Sequence, residues 1–223
     1  MASTNTINLS DQAYQFIKTK IMNLDYAPGA KISTTSISEA SSLGKTPVRE
    51  ALLRLSQEQL VNMVPQSGAY VAKINLKIAQ ESRFTRELIE TEIMQQAAAT
   101  IQATDIDWLN QNLKAQTAAL QQKNLSRFFE LDNAFHRYFY VMTNHDLSWN
   151  WLELININLD RFRRLRIENN HLKWQPLIDQ HQTLLTAVIN HDLTDVRFHE
   201  LMHIRLMLAE EDSVQQAFPT YFV

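Results

Sequence analysis

The segment Lys45-Thr46-Pro47-Val48-Arg49-Glu50-Ala51-Leu52-Leu53-Arg54-Leu55 constrains this chain more than any other. Val48, Ala51, Leu52 and Leu55 recur at i, i+3, i+4 and i+7, which on a helix makes one apolar stripe. Thr46 reads as the N-cap and Pro47 as the first helical residue, where a missing N–H costs no bond. Lys45, Thr46 and Arg49 then stand at the open N-terminal end. A helix buried along one seam, with cations and a hydroxyl at its start, suits the major groove of DNA. Arginine can fork onto guanine there, while lysine, hydroxyls and backbone amides hold phosphates. An ordinary amphipathic surface helix shows the same pattern, so the flanking segments decide.

Upstream, Ala13, Phe16, Ile17, Ile21 and Leu24 trace a helical stripe over residues 10–24, which Pro28-Gly29 ends in a turn. Ser36-Ile37-Ser38-Glu39 has the form of a capping box opening a short second helix to about Leu43, and Gly44 breaks it. Downstream, residues 60–65 and 69–74 are β-prone runs around Gln66-Ser67-Gly68, the pattern of a hairpin. Three helices and a hairpin predict a winged helix-turn-helix. Its third helix enters the groove, and Gln66, Ser67 and Gly68 form the tip of the wing.

The charge distribution agrees. Residues 1–75 carry seven basic side chains against five acidic, and the remainder carries fourteen against nineteen, within a total net charge of −3. A mildly basic head on an acidic body fits DNA binding at one end. The absence of cysteine removes disulfides, thiolate metal sites and cysteine nucleophiles, and suits a cytoplasmic protein. No N-terminal signal pattern and no membrane-length apolar run is expected.

Strand-like alternation gives way to helical periodicity at Asn75-Leu76, so the expected domains are 1–75 and 76–223. With only 3 Gly and 5 Pro in the chain, the second domain reads as an all-α bundle of about six helices, at roughly 77–102, 104–122, 125–143, 146–170, 174–190 and 193–210. Thr104, Ser126 and Thr194 mark helix starts, and Pro176 fits a first turn. The fold class is mainly α. In the third helix of the body, Phe128, Asp132, Phe135, His136 and Phe139 share a face, which sets two ionisable groups on an aromatic stripe. His181 falls on the stripe of Leu177, Leu184, Leu185 and Val188, while period alone does not choose between His199 and His203. One Asp and three His without Cys form an oxygen and nitrogen set suited to Zn²⁺, Ni²⁺, Mn²⁺ or Fe²⁺. Hydrogen-bonded core histidines are the alternative. The run Arg161, Arg163, Arg164, Arg166 reads as a solvated face, and Trp108, Trp149, Trp151 and Trp174 as core or dimer contact.

Residues 27–32, the TPVREAL segment at 46–52 and Gly68-Ala69-Tyr70-Val71 resemble the signature stretches of the GntR family of bacterial transcription regulators. Gly44-Lys45 replaces the usual Ser-Arg, and Thr35 stands where some members carry a DNA-contacting Arg. The body resembles the FCD ligand-binding domain of one branch of that family. Arg86-Glu87-Leu88-Ile89-Glu90 is similar to its R-x-x-L-E motif and Asp132-Asn133-Ala134-Phe135-His136 to its D-x-x-F-H. Gln180-His181 with Ala187-Val188, and Asp192 with Met202-His203-Ile204, match its two later motifs. The resemblance implies a divalent transition metal on Asp132, His136, His181 and His203, a small organic acid that meets the metal and Arg86, and a homodimer on operator DNA with a short inverted repeat. A metal sensor without an organic effector, and a helical metal-dependent hydrolase or lyase with a DNA-binding appendage, are the competing expectations.

Overall fold

The computed structural model describes residues 8–223; residues 1–7, with which the expected first domain and the stretch searched for a signal begin, lie outside the described residues. The described chain divides into two compact units. One runs to Asn75 and includes Phe218–Val223; the other is Leu76–Ala217.

In the first unit, α1 (Leu9–Met22) starts where the Asn8 side chain accepts a hydrogen bond from the Ser10 amide at 3.1 Å, and it buries Ala13, Tyr14, Ile17 and Ile21. Helix α2 (Thr34–Ser41) is capped by Ser33, whose Oγ accepts from the Ser36 amide at 3.0 Å. The cap therefore lies three residues before the expected Ser36 box. Ser42, at φ 57°, turns the chain out of the helix before Gly44 is reached. Helix α3 (Lys45–Gln57) has Gly44 as N-cap, two residues ahead of Thr46. Pro47 remains in the first turn, where amides have no intrahelical acceptor, so its missing N–H is still harmless. Val48, Ala51, Leu52 and Leu55 are all buried, as their spacing requires. Emptying one such position, as in Leu52→Ala, costs about 2–5 kcal/mol in a well-packed core.

Strands β1 (Lys31–Ile32), β2 (Val61–Val64) and β3 (Gly68–Val71) form an antiparallel sheet in the order β1-β3-β2. Val64 lies opposite Gly68 and Lys31 opposite Tyr70. The wing turn needs glycine at Gly68, whose φ of 114° disfavours any L side chain. The C-terminal residues strap onto this unit: the Ile74 amide donates to Tyr221 O at 2.8 Å, and the Val223 amide to Ile74 O at 3.1 Å.

The second unit contains seven described helices rather than six: α4 (Leu76–Thr100), α5 (Ala103–Gln121), α6 (Leu125–Met142), α7 (Asp146–Ile155), α8 (Ile157–Glu168), α9 (Gln175–Ile189) and α10 (Leu193–Ala217). The single helix expected over 146–170 breaks at Asn156, which ends α7 by donating its amide to Leu152 O and starts α8 by accepting from the Asp160 amide at 2.7 Å. The helix caps again differ from expectation. The Gln102 and Asp105 side chains box the start of α5, Asn124 caps α6, and Asp192 accepts from the Thr194 and Asp195 amides at the start of α10. Phe135, Phe139 and Tyr140 of α6 pack with Met94 of α4 and Leu184 of α9 into the larger core. A second cluster joins Phe128 and Phe129 of α6 to Ile167 of α8 and Ile178 of α9. Three ionisable side chains lie where these layers meet.

Candidate metal centre and nucleic-acid face

His136 on α6, His181 on α9 and His203 on α10 bring their ligand nitrogens within 4.8 Å of one another, all buried. His203 Nε2 lies 3.3 Å from His181 Nε2 and 3.2 Å from His136 Nε2. Which nitrogens carry protons follows from a chain of partners. Leu131 O can only accept, and it receives Asn112 Nδ2 at 3.0 Å, so Asn112 Oδ1 faces Gln116 and accepts its Nε2 at 2.7 Å. That turns Gln116 Oε1 toward His181 Nδ1 at 3.0 Å, where only an N–H can donate to it. His203 Nδ1 donates to Gln180 Oε1 at 3.0 Å. His136 Nδ1 lies 3.1 Å from Glu90 Oε2. Burial pushes the Glu90 carboxyl up, but Arg86 and His136 outweigh it and hold the group well below the usual range, so it faces Nδ1 as an anion.

With every Nδ1 facing an oxygen, three Nε2 lone pairs point at one another. That is unfavourable between neutral imidazoles and favourable around a cation. Ligands 2.0–2.1 Å from one ion lie about 3.0 Å apart at right angles and about 3.4 Å apart at the tetrahedral angle, which brackets the observed spacings. Burial keeps all three imidazoles neutral: His181 is pushed down to about 3, and His136 and His203 are also lowered. The donor set and its oxygen backing thus fit a divalent transition ion.

Asp132 stands beside this group. Its Oδ1 is 3.7 Å from His181 Nε2, while its Oδ2 accepts a close contact from Arg163 Nη2. Burial raises the Asp132 carboxyl, but Arg163, followed by His181 and His136, brings it below the ordinary carboxylate value. His199 is apart from the cluster, against a shallow surface recess with Gln182 and Thr183. The choice that periodicity left open falls to His203.

A cavity of about 60 Å³ adjoins the centre, lined by Asp132 and His203 and by Arg83, Arg86, Arg163 and Arg166. The arginine run of α8 is therefore not the solvated face that its composition suggested. Arg161 and Arg166 are buried, and Arg163 is nearly so. Arg166 reaches Glu210 through two bonds of 2.7 and 2.9 Å, and Arg86 pairs with Glu90 at 2.7 Å. Arg83 Nε, Arg86 Nη2 and Arg166 Nη1 are buried with no hydrogen-bond partner among the described residues. Each unsatisfied donor costs about 1–3 kcal/mol, which an anion would relieve. Sequence reasoning missed Arg83, Arg163, Arg166 and Gln116, because their partners come from other helices and leave no periodic trace. Glu90 alone had a signal, four residues after Arg86.

In the first unit Lys45, Thr46, Arg49 and Thr35 are exposed, as are Gln66 and Gly68 of the wing, with Ser67 half-buried. Ser67 Oγ and Tyr70 Oη lie 2.6 Å apart and brace the wing turn. Arg54, at the other end of α3, is spoken for by Asp11 at 3.1 Å and by the face of Tyr14.

Two family models match the chain: bacterial regulatory proteins of the gntR family over residues 9–71, and the FCD domain over residues 81–206. The HTH-type transcriptional repressor RspR of Escherichia coli is 28% identical, across 96% of this chain and 93% of its own. A Streptomyces ambofaciens HTH-type transcriptional regulator is 28% identical across 100% of this chain and 93% of its own. Among solved structures, E. coli McbR/YncC has a TM-score of 0.77 at 19% identity, covering 96% of this chain and 100% of its own, a likeness of fold. No described helix is long and apolar enough to cross a membrane. The chain belongs to the gntR family of bacterial regulators, in the branch whose second domain is FCD, and is a transcription regulator rather than an enzyme.

Proposed function

We propose that the operator affinity of this regulator is controlled by a small organic acid bound beside a divalent transition metal in the FCD domain. The observation that carries this reading is the convergence of three Nε2 atoms, each on an imidazole whose Nδ1 lies 3.0–3.1 Å from a side-chain oxygen, next to a cavity lined by Arg83, Arg86 and Arg166, each of which has an unpaired guanidinium nitrogen. His136, His181, His203 and Asp132 hold the metal, which as a Lewis acid supplies coordination positions for a carboxylate. Arg86 meets the effector's charge from the cavity wall. Those arginines favour an acid effector over a centre that senses metal alone.

Lys45, Thr46 and Arg49 at the start of α3, with Thr35 and the wing residues Gln66, Ser67 and Gly68, face the operator. The working unit is a homodimer on a short inverted repeat, since doubling a small head raises affinity and specificity together. Helix α7 supports association: Leu147, Trp151 and Leu154, at i, i+4 and i+7, are 67%, 64% and 70% exposed.

The test is elemental analysis of the purified, reconstituted protein beside His136→Ala and His181→Ala, followed by a thermal-shift screen of organic acids on the loaded protein. One metal per chain in wild type, lost in both variants, and an acid that raises the melting temperature are the expected results. Absence of stoichiometric metal from wild type, or its retention by both variants, defeats the reading.

A further inference from the structure

Asp132 differs from the histidines in one respect. Each imidazole turns its Nε2 toward the other two rings, but the carboxylate is already engaged by a cation of the protein itself. Arg163 Nη2 donates to Asp132 Oδ2, and Arg163 Nη1 donates to Asn133 Oδ1 at 3.0 Å and to Asp160 Oδ1 at 2.9 Å. The guanidinium carbon sits 5.0 Å from the Phe129 ring centroid. Asp132 and Asn133 belong to α6 and Arg163 to α8, so this contact ties the two helices together.

A divalent ion among the three Nε2 atoms changes that balance. Asp132 Oδ1 is already 3.7 Å from His181 Nε2, so the carboxylate needs only a small turn to reach the same ion. In doing so it gives up charge that Arg163 now uses, and the ion and the guanidinium are left as like charges in a partly desolvated site. Arg163 keeps Asp160, three residues before it on its own helix, and its side chain already lines the arginine cavity. It has both a reason to leave Asp132 and a place to go.

From this geometry we infer that Arg163 is the resident counter-cation of Asp132, that the metal displaces it, and that the released guanidinium joins the cavity as a partner for the effector's negative charge. The inference rests on the reading that Asp132 and the three histidines hold a metal. It adds an order of events: loading opens the α6–α8 tie and makes the cavity more receptive to anions. By linkage, an acid that holds Arg163 in the cavity also tightens metal binding.

The experiment is a Zn²⁺ titration of the full-length protein against a chromophoric chelator, for wild type, Arg163→Gln, Arg163→Lys, Asp132→Asn and the Asp132→Asn/Arg163→Gln pair. Melting curves without metal check that each variant is folded. Arg163→Gln is expected to bind Zn²⁺ about tenfold more tightly than wild type, because Asp132 no longer has to be surrendered. Arg163→Lys, which restores a cation at the same place, should return to within about threefold of wild type. In the Asp132→Asn background, replacing Arg163 should change the affinity by less than about twofold, the double-mutant cycle showing that the effect runs through this carboxylate. Unchanged or weaker binding by Arg163→Gln overturns the inference. So does a tenfold gain that persists with Asp132→Asn, which would mark simple charge repulsion. If no variant holds stoichiometric Zn²⁺, it is the metal centre itself that falls.

Discussion

Two helices of this protein are rich in basic residues and treat them in opposite ways. Helix α3 leaves Lys45 and Arg49 exposed, with no ion pair among the described residues. Helix α8 encloses Arg161, Arg163 and Arg166, with Arg166 on Glu210 and Arg163 on Asp132 and Asp160. An unpaired surface cation keeps its hydration and is ready for a polyanion, to which it contributes by releasing counterions. A buried cation must be paired, and the pairing fixes where a further anion or cation can enter. On the reading proposed above, the basic residues of both helices await anions of different size: a long phosphate backbone for α3, a small acid for α8.

The largest expected effect separates the buried region from the exposed one. Saturating Zn²⁺ at about a thousand times its dissociation constant should stabilise the protein by about 4 kcal/mol, or roughly 10 °C in melting temperature for a chain of this size. His181→Ala should abolish that shift and leave the response to Arg49→Ala in DNA binding unchanged. A shift of equal size in wild type and His181→Ala would place the ion elsewhere.

The next effect concerns pH in the absence of metal. Burial pushes His181 down to about 3, whereas in the unfolded chain a histidine titrates near 6.5. The unfolded state therefore takes up the proton first. The contribution of His181 is complete above about pH 6.5 and is lost as pH falls toward 3, amounting to something on the order of 3 kcal/mol by pH 4. Glu200 works the other way, because burial and the neighbouring Glu90 raise its carboxyl. The measurement is therefore a difference: urea unfolding of wild type and His181→Gln at pH 7, 5.5 and 4. Wild type should lose more stability than the variant, and parallel losses would show that His181 is not buried as a neutral ring.

How far these two regions were legible in sequence follows the same division. The stripe of Val48, Ala51, Leu52 and Leu55 and that of Phe128, Asp132, Phe135, His136 and Phe139 were readable because burial imposes the helical period on one face. The helices expected to begin at 125, 146 and 193 do begin there, whereas the caps of α2, α3 and α6 were less legible, with misplacements of two or three residues. Gly44, Ser33 and Asn124 supply the caps where Thr46, Ser36 and Ser126 were equally plausible by residue type. The break at Asn156 carried neither Pro nor Gly. Helix α8 was misread for a deeper reason: it is enclosed on nearly all sides and neutralised by Asp132, Asp160 and Glu210, two of which lie on other helices. Pairing across helices has no period. Periodicity likewise offered His199 and His203 equally; the resemblance of Met202-His203-Ile204 to the FCD motif singled out His203, and His203 is the one that packs with His136 of α6 and His181 of α9.

On the exposed side, Arg49→Ala should weaken operator binding by about 1–3 kcal/mol, or roughly 5- to 150-fold, and relax sequence preference at one base pair of each half-site. A mobility-shift series against a panel of single-base operator variants reads both. Arg54 serves as the internal control, since it belongs to the same helix but is held by Asp11 and Tyr14. If Arg54→Ala lost specificity and Arg49→Ala did not, the polarity of α3 on the operator would be reversed.

The smallest effect is the most diagnostic of number. Lys45 is exposed at the first position of α3 and, as a compact point charge, suits a phosphate better than a base edge. Its removal should weaken binding to specific and non-specific DNA alike, with little change in their ratio. Each phosphate contact contributes about 0.9 to the slope of log affinity against log salt. A single head losing one contact would shift that slope by about 1, whereas a homodimer loses the contact twice and shifts it by about 2. Affinities measured between 50 and 200 mM salt, roughly the range over which such slopes are resolved, distinguish the two. A shift near 1 with an otherwise intact operator complex would mean that only one α3 helix engages its phosphate, and a slope unchanged by Lys45→Ala would remove this residue from the DNA face altogether.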